Sequence, residues 1–313
     1  MSVRVSVVIP TYNRSEYLRK AIQSLIDQTL PRDQFEIIVV DNGSTDRTRA
    51  VVSEEFGNFN LRYVKEPKVG LCWARNTGWL SANGDYVAYL DDDAIASRRW
   101  LEAILDVFDG VKPVPGCVGG RVDLIWEAPR PDWLPDDFVP HLAQVNWSSE
   151  LIALDETQYL AGVNFAFPRK RLKEIGGFDP RIDRQGKKLL SNGDILILRQ
   201  LQNMGYTCYY HPEIAVQHHV SKERLNKKWF LRRLYWQGVS DVVLQQILAP
   251  SSRPRLFADG LRESAQLVQI LHGGYYSPKR IYWHVMSISF EQWLRYGYRA
   301  GRAARNITST FSF

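Results

Sequence analysis

The residues best suited to chemistry are three consecutive aspartates, Asp91-Asp92-Asp93, which close an apolar run from Tyr86 to Leu90. Their charges repel at close range, and a bound divalent cation removes that cost; oxygen donors suit Mg²⁺ or Mn²⁺. Taken alone, the triplet is better read as a solvated acidic turn capping a helix that begins near Ser97. Arg75 and Asn76, in GLCWARNTG (70–78), lie on a helical stretch just before that strand, where a cation can meet a phosphate. His218-His219 come after a strand or loop at 213–217, and one imidazole can complete a metal shell, although paired histidines are more often surface or interface residues. Asp194 sits in the first turn of a helix, as either a dipole-stabilising carboxylate or a general base.

The elements that must position these groups can be read from apolar spacing. Val5 to Ile9 and Phe35 to Val40 are continuous β-branched runs of buried-strand type. Tyr17, Leu18, Ala21, Ile22, Leu25 and Ile26 recur at helical spacing behind a Ser15 cap. Asp41 to Asp46 supplies turn chemistry and a cap for a second helix. Next come a short strand at 61–64, a helix at about 70–82 and the strand at 86–90. Strands separated by helices predict crossover units and an α/β fold with a mainly parallel sheet. Polar clusters then fall at three carboxyl ends (Pro10-Thr11-Tyr12-Asn13, Asp41 to Ser44, Asp91 to Asp93), where the loops of an open parallel sheet line a shared crevice.

The proline- and tryptophan-rich stretch from Gly110 to about Ala161 reads as a long irregular excursion. Regularity returns with a strand at 163–167, a helix ended by Gly176-Gly177, and a helix at about 192–204 with Ile195, Leu198, Leu201 and Met204 as its apolar set. From Ser221 no strand is predicted, only aromatic- and arginine-rich helical patterns broken at 250–254 and 273–278. Two domains are expected, 1–220 and 221–313.

Of 313 residues, 45% are hydrophobic and 24% charged, a globular composition that rules out disorder as the dominant state. Cys72, Cys117 and Cys208 are too few and too scattered for a disulfide framework or a cysteine zinc site. No signal peptide or transmembrane run is apparent, so a cytoplasmic location is expected. From residue 221 onward there are 15 Lys+Arg against 5 Asp+Glu. Such a basic tail suits an anionic partner. Residues 281–305 combine Tyr282, Trp283, Trp293 and Tyr298 with Arg295, Arg299, Arg302 and Arg305. They suit either an amphipathic helix lying peripherally on the inner face of an anionic plasma membrane or packing against residues 1–220. The tail carries no nucleic-acid scaffold motif, so no nucleic-acid partner is expected.

VSVVIPTYNR, VVDNGSTD, GLCWARNTG, YVAYLDDDA, GVNFAF, IGGFDP, the NGDILILRQLQNMGY stretch and VQHH occur in the order seen in inverting family 2 glycosyltransferases, and residues 3–220 resemble that family. SKERL and RRLYWQG in the tail are similar to cyanobacterial-type polysaccharide-export members. The resemblance implies a GT-A fold, a divalent cation, a nucleotide-diphosphate sugar donor (UDP-type favoured), and a carbohydrate or lipid-linked acceptor in polysaccharide or glycolipid synthesis. It places Pro10, Tyr12 and Asp41 at the nucleotide base and Arg75 near the nucleotide and diphosphate. Asp91 falls near the ribose, Asp92, in the variable middle of a DxD-type motif, near donor sugar or acceptor, and Asp93 on the metal. Asn164 lies near donor sugar or acceptor. His218 is a late metal or diphosphate ligand, with His219 as fallback, and Asp194 is the general base. Where the family commonly has Glu-Asp, this chain has Gly193-Asp194, so a base survives but acceptor orientation or rate is open. The competing expectation is a catalytically weak or inactive nucleotide-sugar-binding protein; a sugar nucleotidyltransferase would need a glycine-rich loop where PTYNR stands.

Overall fold

A computed structural model describes residues 3–57, 59–186, 188–250, 255, 258–264 and 290–311. The apolar runs become strands for the expected reason: with no alternation of polar residues, they must be covered on both faces. Strands β1 (Val5–Thr11) and β2 (Phe35–Asp41) are buried along their whole length. Together with β3 (Leu61–Lys65) and β4 (Tyr86–Leu90) they form a parallel array in the order β3-β2-β1-β4. Thr11 registers with Asp41 and Val8 with Tyr89, so the carboxyl ends of β1, β2 and β4 share one edge.

Helix α1 (Ser15–Ile26) buries Leu18, Ala21, Ile22 and Leu25. Its first turn is not capped by the Ser15 side chain. Asp46 accepts from the Ser15 N–H at 2.9 Å, and its other oxygen accepts from the Thr48 N–H at 3.0 Å. One carboxylate thus caps α1 and the short α2 (Thr48–Ala50), which runs on as a π-turn, Val51–Glu55. These bonds hold the Asp46 pKa low despite the opposing effect of burial. Helices α3 (Leu71–Leu80) and α4 (Trp100–Gly110) complete the crossovers.

The 110–161 stretch departs from expectation. It contains a ten-residue strand, β6 (Cys117–Trp126). Gly119-Gly120 and the polar Arg121 and Asp123 break the apolar run that would have signalled it. Those glycines are required by close approach. A Cβ at Gly120 would stand 2.2 Å from the carbonyl oxygens of His211 and Ile214, and one at Gly119 would stand 2.5 Å from that of Asn164. Two short strands also escaped the pattern, β5 (Ala94–Ala96) and β7 (Ile152–Ala153). With β8 (Asn164–Pro168) and β9 (Cys208–Val220) they extend the sheet to nine strands among the described residues, the later ones mixed in direction. Helix α5 (Arg169–Ile175) ends at Gly176, whose φ of 76° supplies the left-handed cap. Helix α6 (Gly193–Asn203) buries Leu196, Ile197, Leu198 and Leu201, whereas Met204, beyond its end, is exposed. A three-residue step drifts around a helix of 3.6 residues per turn, so the 195-198-201-204 set cannot stay on one face.

The chain divides into two compact units. The first comprises Met1–Glu127, Val139–Arg181 and Gly193–Val220; the second comprises Ala128–Phe138, Ile182–Asn192 and Ser221–Phe313. In the second unit, α7 (Lys227–Leu248) crosses α8 (Phe290–Phe311) through glycines. A Cβ at Gly301 would lie 1.8 Å from the Tyr235 carbonyl oxygen. Asp241 accepts from Asn192 at 2.6 Å, Gln237 at 2.8 Å and the Tyr298 hydroxyl at 2.7 Å. Leu294 and Tyr296 are buried. The expected breaks at 251–254 and 273–278, and residues 281–289 with Tyr282 and Trp283, lie outside the described residues. Among the described residues, no helix is long and apolar enough to cross a membrane.

Candidate active site

The acidic turn takes its shape from the strand pairing directly after it. Beyond Asp93, β5 pairs antiparallel with the end of β9, setting Ala94 opposite His218. The His219 N–H donates to the Asp93 carbonyl at 2.8 Å. This register brings Asp93 Oδ1 to 3.3 Å from His218 Nε2, with both side chains buried. His218 Nδ1 lies 3.0 Å from the Leu142 carbonyl oxygen. A carbonyl only accepts, so Nδ1 carries the proton in that bond and Nε2 is the nitrogen turned to Asp93. Metal-binding imidazoles are commonly oriented this way.

Asp92 and Asp93 are neutralised from within the chain. Arg14, just beyond β1, donates to Asp92 Oδ1 at 3.1 Å and to Asp93 Oδ2 at 2.7 Å. Thr11 Oγ1 donates to Asp92 Oδ2 at 2.8 Å. Burial pushes the Asp92 carboxyl up to about 6, with Arg14 opposing and Asp93 adding to the rise. Burial works against the Arg14 charge, but the three aspartates outweigh it and raise its pKa. Asp92 thereby fastens the turn to β1.

Asp93 and His218 suit a divalent cation in donor type. Among the described residues, no three carboxylate, imidazole or thiol groups gather into a metal cluster. A hard cation held by one or two protein groups takes its remaining ligands from substrate phosphates and water, and this pair fits that pattern.

Arg75 is 2% exposed. Its guanidinium lies 5.4 Å from the ring centroids of Phe165 and Phe178, donates to the Gly162 carbonyl at 3.0 Å, and stands 3.5 Å from Asp91 Oδ1. The Gly162 N–H donates to Asp194 Oδ2 at 3.0 Å, while Asp194 Oδ1 accepts from the Ile195 N–H at 2.9 Å. Asp91, Arg75, Gly162 and Asp194 thus form one continuous line of polar contacts.

At the neighbouring carboxyl end, Asp41 accepts from the Ser44 N–H at 2.7 Å and from the Tyr63 hydroxyl. Burial and then Asp41 push the Tyr63 hydroxyl up to about 12. Pro10 is buried in β1, whereas Tyr12 is 53% exposed. Asn13 takes a left-handed φ of 53°, and its Oδ1 accepts from the Thr45 N–H at 2.7 Å, tying the first loop to the second.

Two sequence candidates stand apart. Asn164 is fully buried, accepting from Trp100 Nε1 at 2.8 Å and donating to the carbonyls of Arg121 at 3.0 Å and Ile214 at 2.7 Å. Its amide is committed to the fold by these three bonds. His219 turns to Tyr17 and Glu127, its ring 5.4 Å from that of Tyr17. Burial, then Lys20, lowers its pKa. Sequence reasoning missed Arg14, Tyr63 and Gly162. Arg14 lies inside the PTYNR run, but nothing local shows which carboxylates it meets.

The glycosyl transferase family 2 profile matches residues 6–175. The glucosyl-dolichyl phosphate glucuronosyltransferase of Haloferax volcanii is 27% identical over 255 residues, 80% of each chain. Glycosyltransferase AglE of the same organism is 34% identical over 129 residues, 39% of this chain and 40% of that one. Among solved structures, the mannosyltransferase PcManGT from Pyrobaculum calidifontis, in complex with GDP-Man and Mn²⁺, has a TM-score of 0.64 at 21% identity, over 99% of this chain and 88% of that one. S. aureus TarS in complex with UDP has a TM-score of 0.55 at 19% identity, over 98% and 91%. At these identities the structural likeness speaks for the fold.

Proposed function

The chain belongs to glycosyl transferase family 2, and from that premise we propose that it moves a hexosyl-type sugar, with inversion, from a nucleotide-diphosphate donor to a hydroxyl acceptor. The observation that carries this reading is the line from Asp91 through Arg75 and Gly162 to Asp194, beside the Asp93–His218 pair. It links groups suited to a charged leaving group with a carboxylate suited to proton removal through direct polar contacts.

In this mechanism Asp194 takes the proton of the acceptor hydroxyl as that oxygen bonds to the anomeric carbon. The bond from that carbon to the diphosphate oxygen breaks, and its electron pair leaves with the phosphate. Two backbone N–H groups hold the Asp194 carboxylate in place. Asp93 and His218 would hold a Mn²⁺ or Mg²⁺ ion, which when bound offsets the charge developing on the diphosphate. Asp41 receives the base, favoured as uracil, with Pro10 and Tyr12 beside it and Asp91 near the ribose. Arg75 acts on the nucleotide side through Asp91 rather than from the surface.

A lipid-linked acceptor is supported by the dolichyl phosphate named in the Haloferax relative and by the basic balance of residues 221–313, where Lys222, Lys227, Lys228, Arg232 and Arg295 are exposed. Peripheral contact with an anionic membrane fits the same charges, and the tail motifs favour polysaccharide synthesis. The test compares wild type with Asp194→Asn, using UDP-glucose and GDP-mannose with Mn²⁺ and reading nucleotide affinity and diphosphate release. Asp194→Asn is expected to keep affinity and lose about 10²- to 10⁴-fold in rate. An unimpaired variant would remove Asp194 as base; wild-type binding without turnover would leave a sugar-nucleotide-binding protein.

A further inference from the structure

We infer that Gly162 is a positioning residue, a peptide clamp that aims the Asp194 carboxylate by fastening it to the buried Arg75 guanidinium; this rests on Asp194 being the base. The residue works from both sides. Its N–H donates to Asp194 Oδ2, and its carbonyl accepts from Arg75 Nη2, each at 3.0 Å. Both neighbours are polar and charged, so a shift of one peptide disturbs two ionic groups together.

Glycine is needed here for space, not backbone freedom. Gly162 sits in a turn closed by the Asn164 N–H donating to the Ala161 carbonyl at 2.9 Å, and it is not among the positive-φ residues. An added Cβ would meet Arg75 Nη2 at 2.6 Å, and Cζ and Nη1 at 3.1 Å. A flexible side-chain tip normally yields to such a contact. This one lies beside Phe165 and Phe178 and reaches Asp91, so yielding means leaving those partners. Two residues on, Asn164 is anchored in the core by three hydrogen bonds, which makes the clamp's footing rigid. Misplacing a catalytic group by about 1 Å costs on the order of 10²-fold in rate, so a rigid footing matters.

The decisive experiment needs no substrate. In full-length protein labelled with ¹³C-carbonyl alanine and ¹⁵N-glycine, only the Ala161–Gly162 and Ala300–Gly301 amides are selected. The Gly162 amide resonance is expected to move with pH as the Asp194 carboxylate titrates, and to lose that dependence in Asp194→Asn. A pH-independent Gly162 resonance in wild type overturns the clamp, whatever the outcome for Asp194 as base. A kinetic arm measures UDP release from UDP-glucose. Gly162→Ala is expected to lower it roughly ten- to a hundredfold in wild type and less than twofold in the Asp194→Asn background. Equal losses in both backgrounds overturn the clamp. Undiminished release in Asp194→Asn overturns the base assignment and leaves the amide resonance to decide the clamp. It decides equally if Gly162→Ala does not fold.

Discussion

Replacing Asn164 by leucine, a side chain of similar size, removes three hydrogen bonds while leaving the volume filled. The Trp100 indole N–H and the carbonyls of Arg121 and Ile214 then lose this partner in the core. A buried polar group left unpaired costs about 1–3 kcal/mol, and partial relaxation brings the sum for three to roughly 3–6 kcal/mol. The first unit holds about 200 residues, for which 1 kcal/mol shifts Tm by about 2–4 °C, so a fall of roughly 6–24 °C is expected. Thermal denaturation monitored by circular dichroism measures it. Titration calorimetry with UDP and Mn²⁺, well below the transition, should show affinity within about threefold of wild type, because a fully buried amide touches no ligand. Asn164→Asp provides the control. A carboxylate facing two carbonyls should destabilise further at neutral pH and partly recover in acid, where the protonated group can donate. If Asn164→Leu melts within about 2 °C of wild type but loses nucleotide or sugar affinity, the packing argument is wrong and the amide faces substrate.

The same geometry yields two more expected outcomes. Tyr63→Phe removes the hydroxyl that orients Asp41 and should weaken UDP binding by about 1 kcal/mol, with little change in Tm; unchanged affinity by calorimetry would detach Asp41 from base recognition. Burial, chiefly, raises the Asp92 carboxyl from 3.8 to about 6, so the folded protein binds a proton in that interval which the unfolded chain releases. The resulting stabilisation is full below about pH 4 and disappears as pH rises through about 6. A cation favours the ionised turn, so Mn²⁺ should raise Tm more at about pH 7.5 than at about pH 5; an equal rise at both would separate the metal from the acidic turn.

Periodicity and local chemistry alone determined the parallel array and the polar ends of β1, β2 and β4, and raised the acidic triplet, Asp194 and the histidine pair as candidates, among which the family resemblance then chose. Each depends on neighbours in sequence: an uninterrupted apolar run demands two covered faces, and the loop after such a strand must be polar. Tertiary structure alone decided the partnerships. Strand β6 was hidden because glycines that permit close approach to β8 and β9 also erase the apolar signal. Asn164 has the same amide whether it meets a sugar or a tryptophan indole, and only the fold seals it in the core. Arg14 against the acidic turn and Gly162 between Arg75 and Asp194 are contacts across 78, 87 and 32 residues, set by strand register and packing distance, which no local pattern encodes.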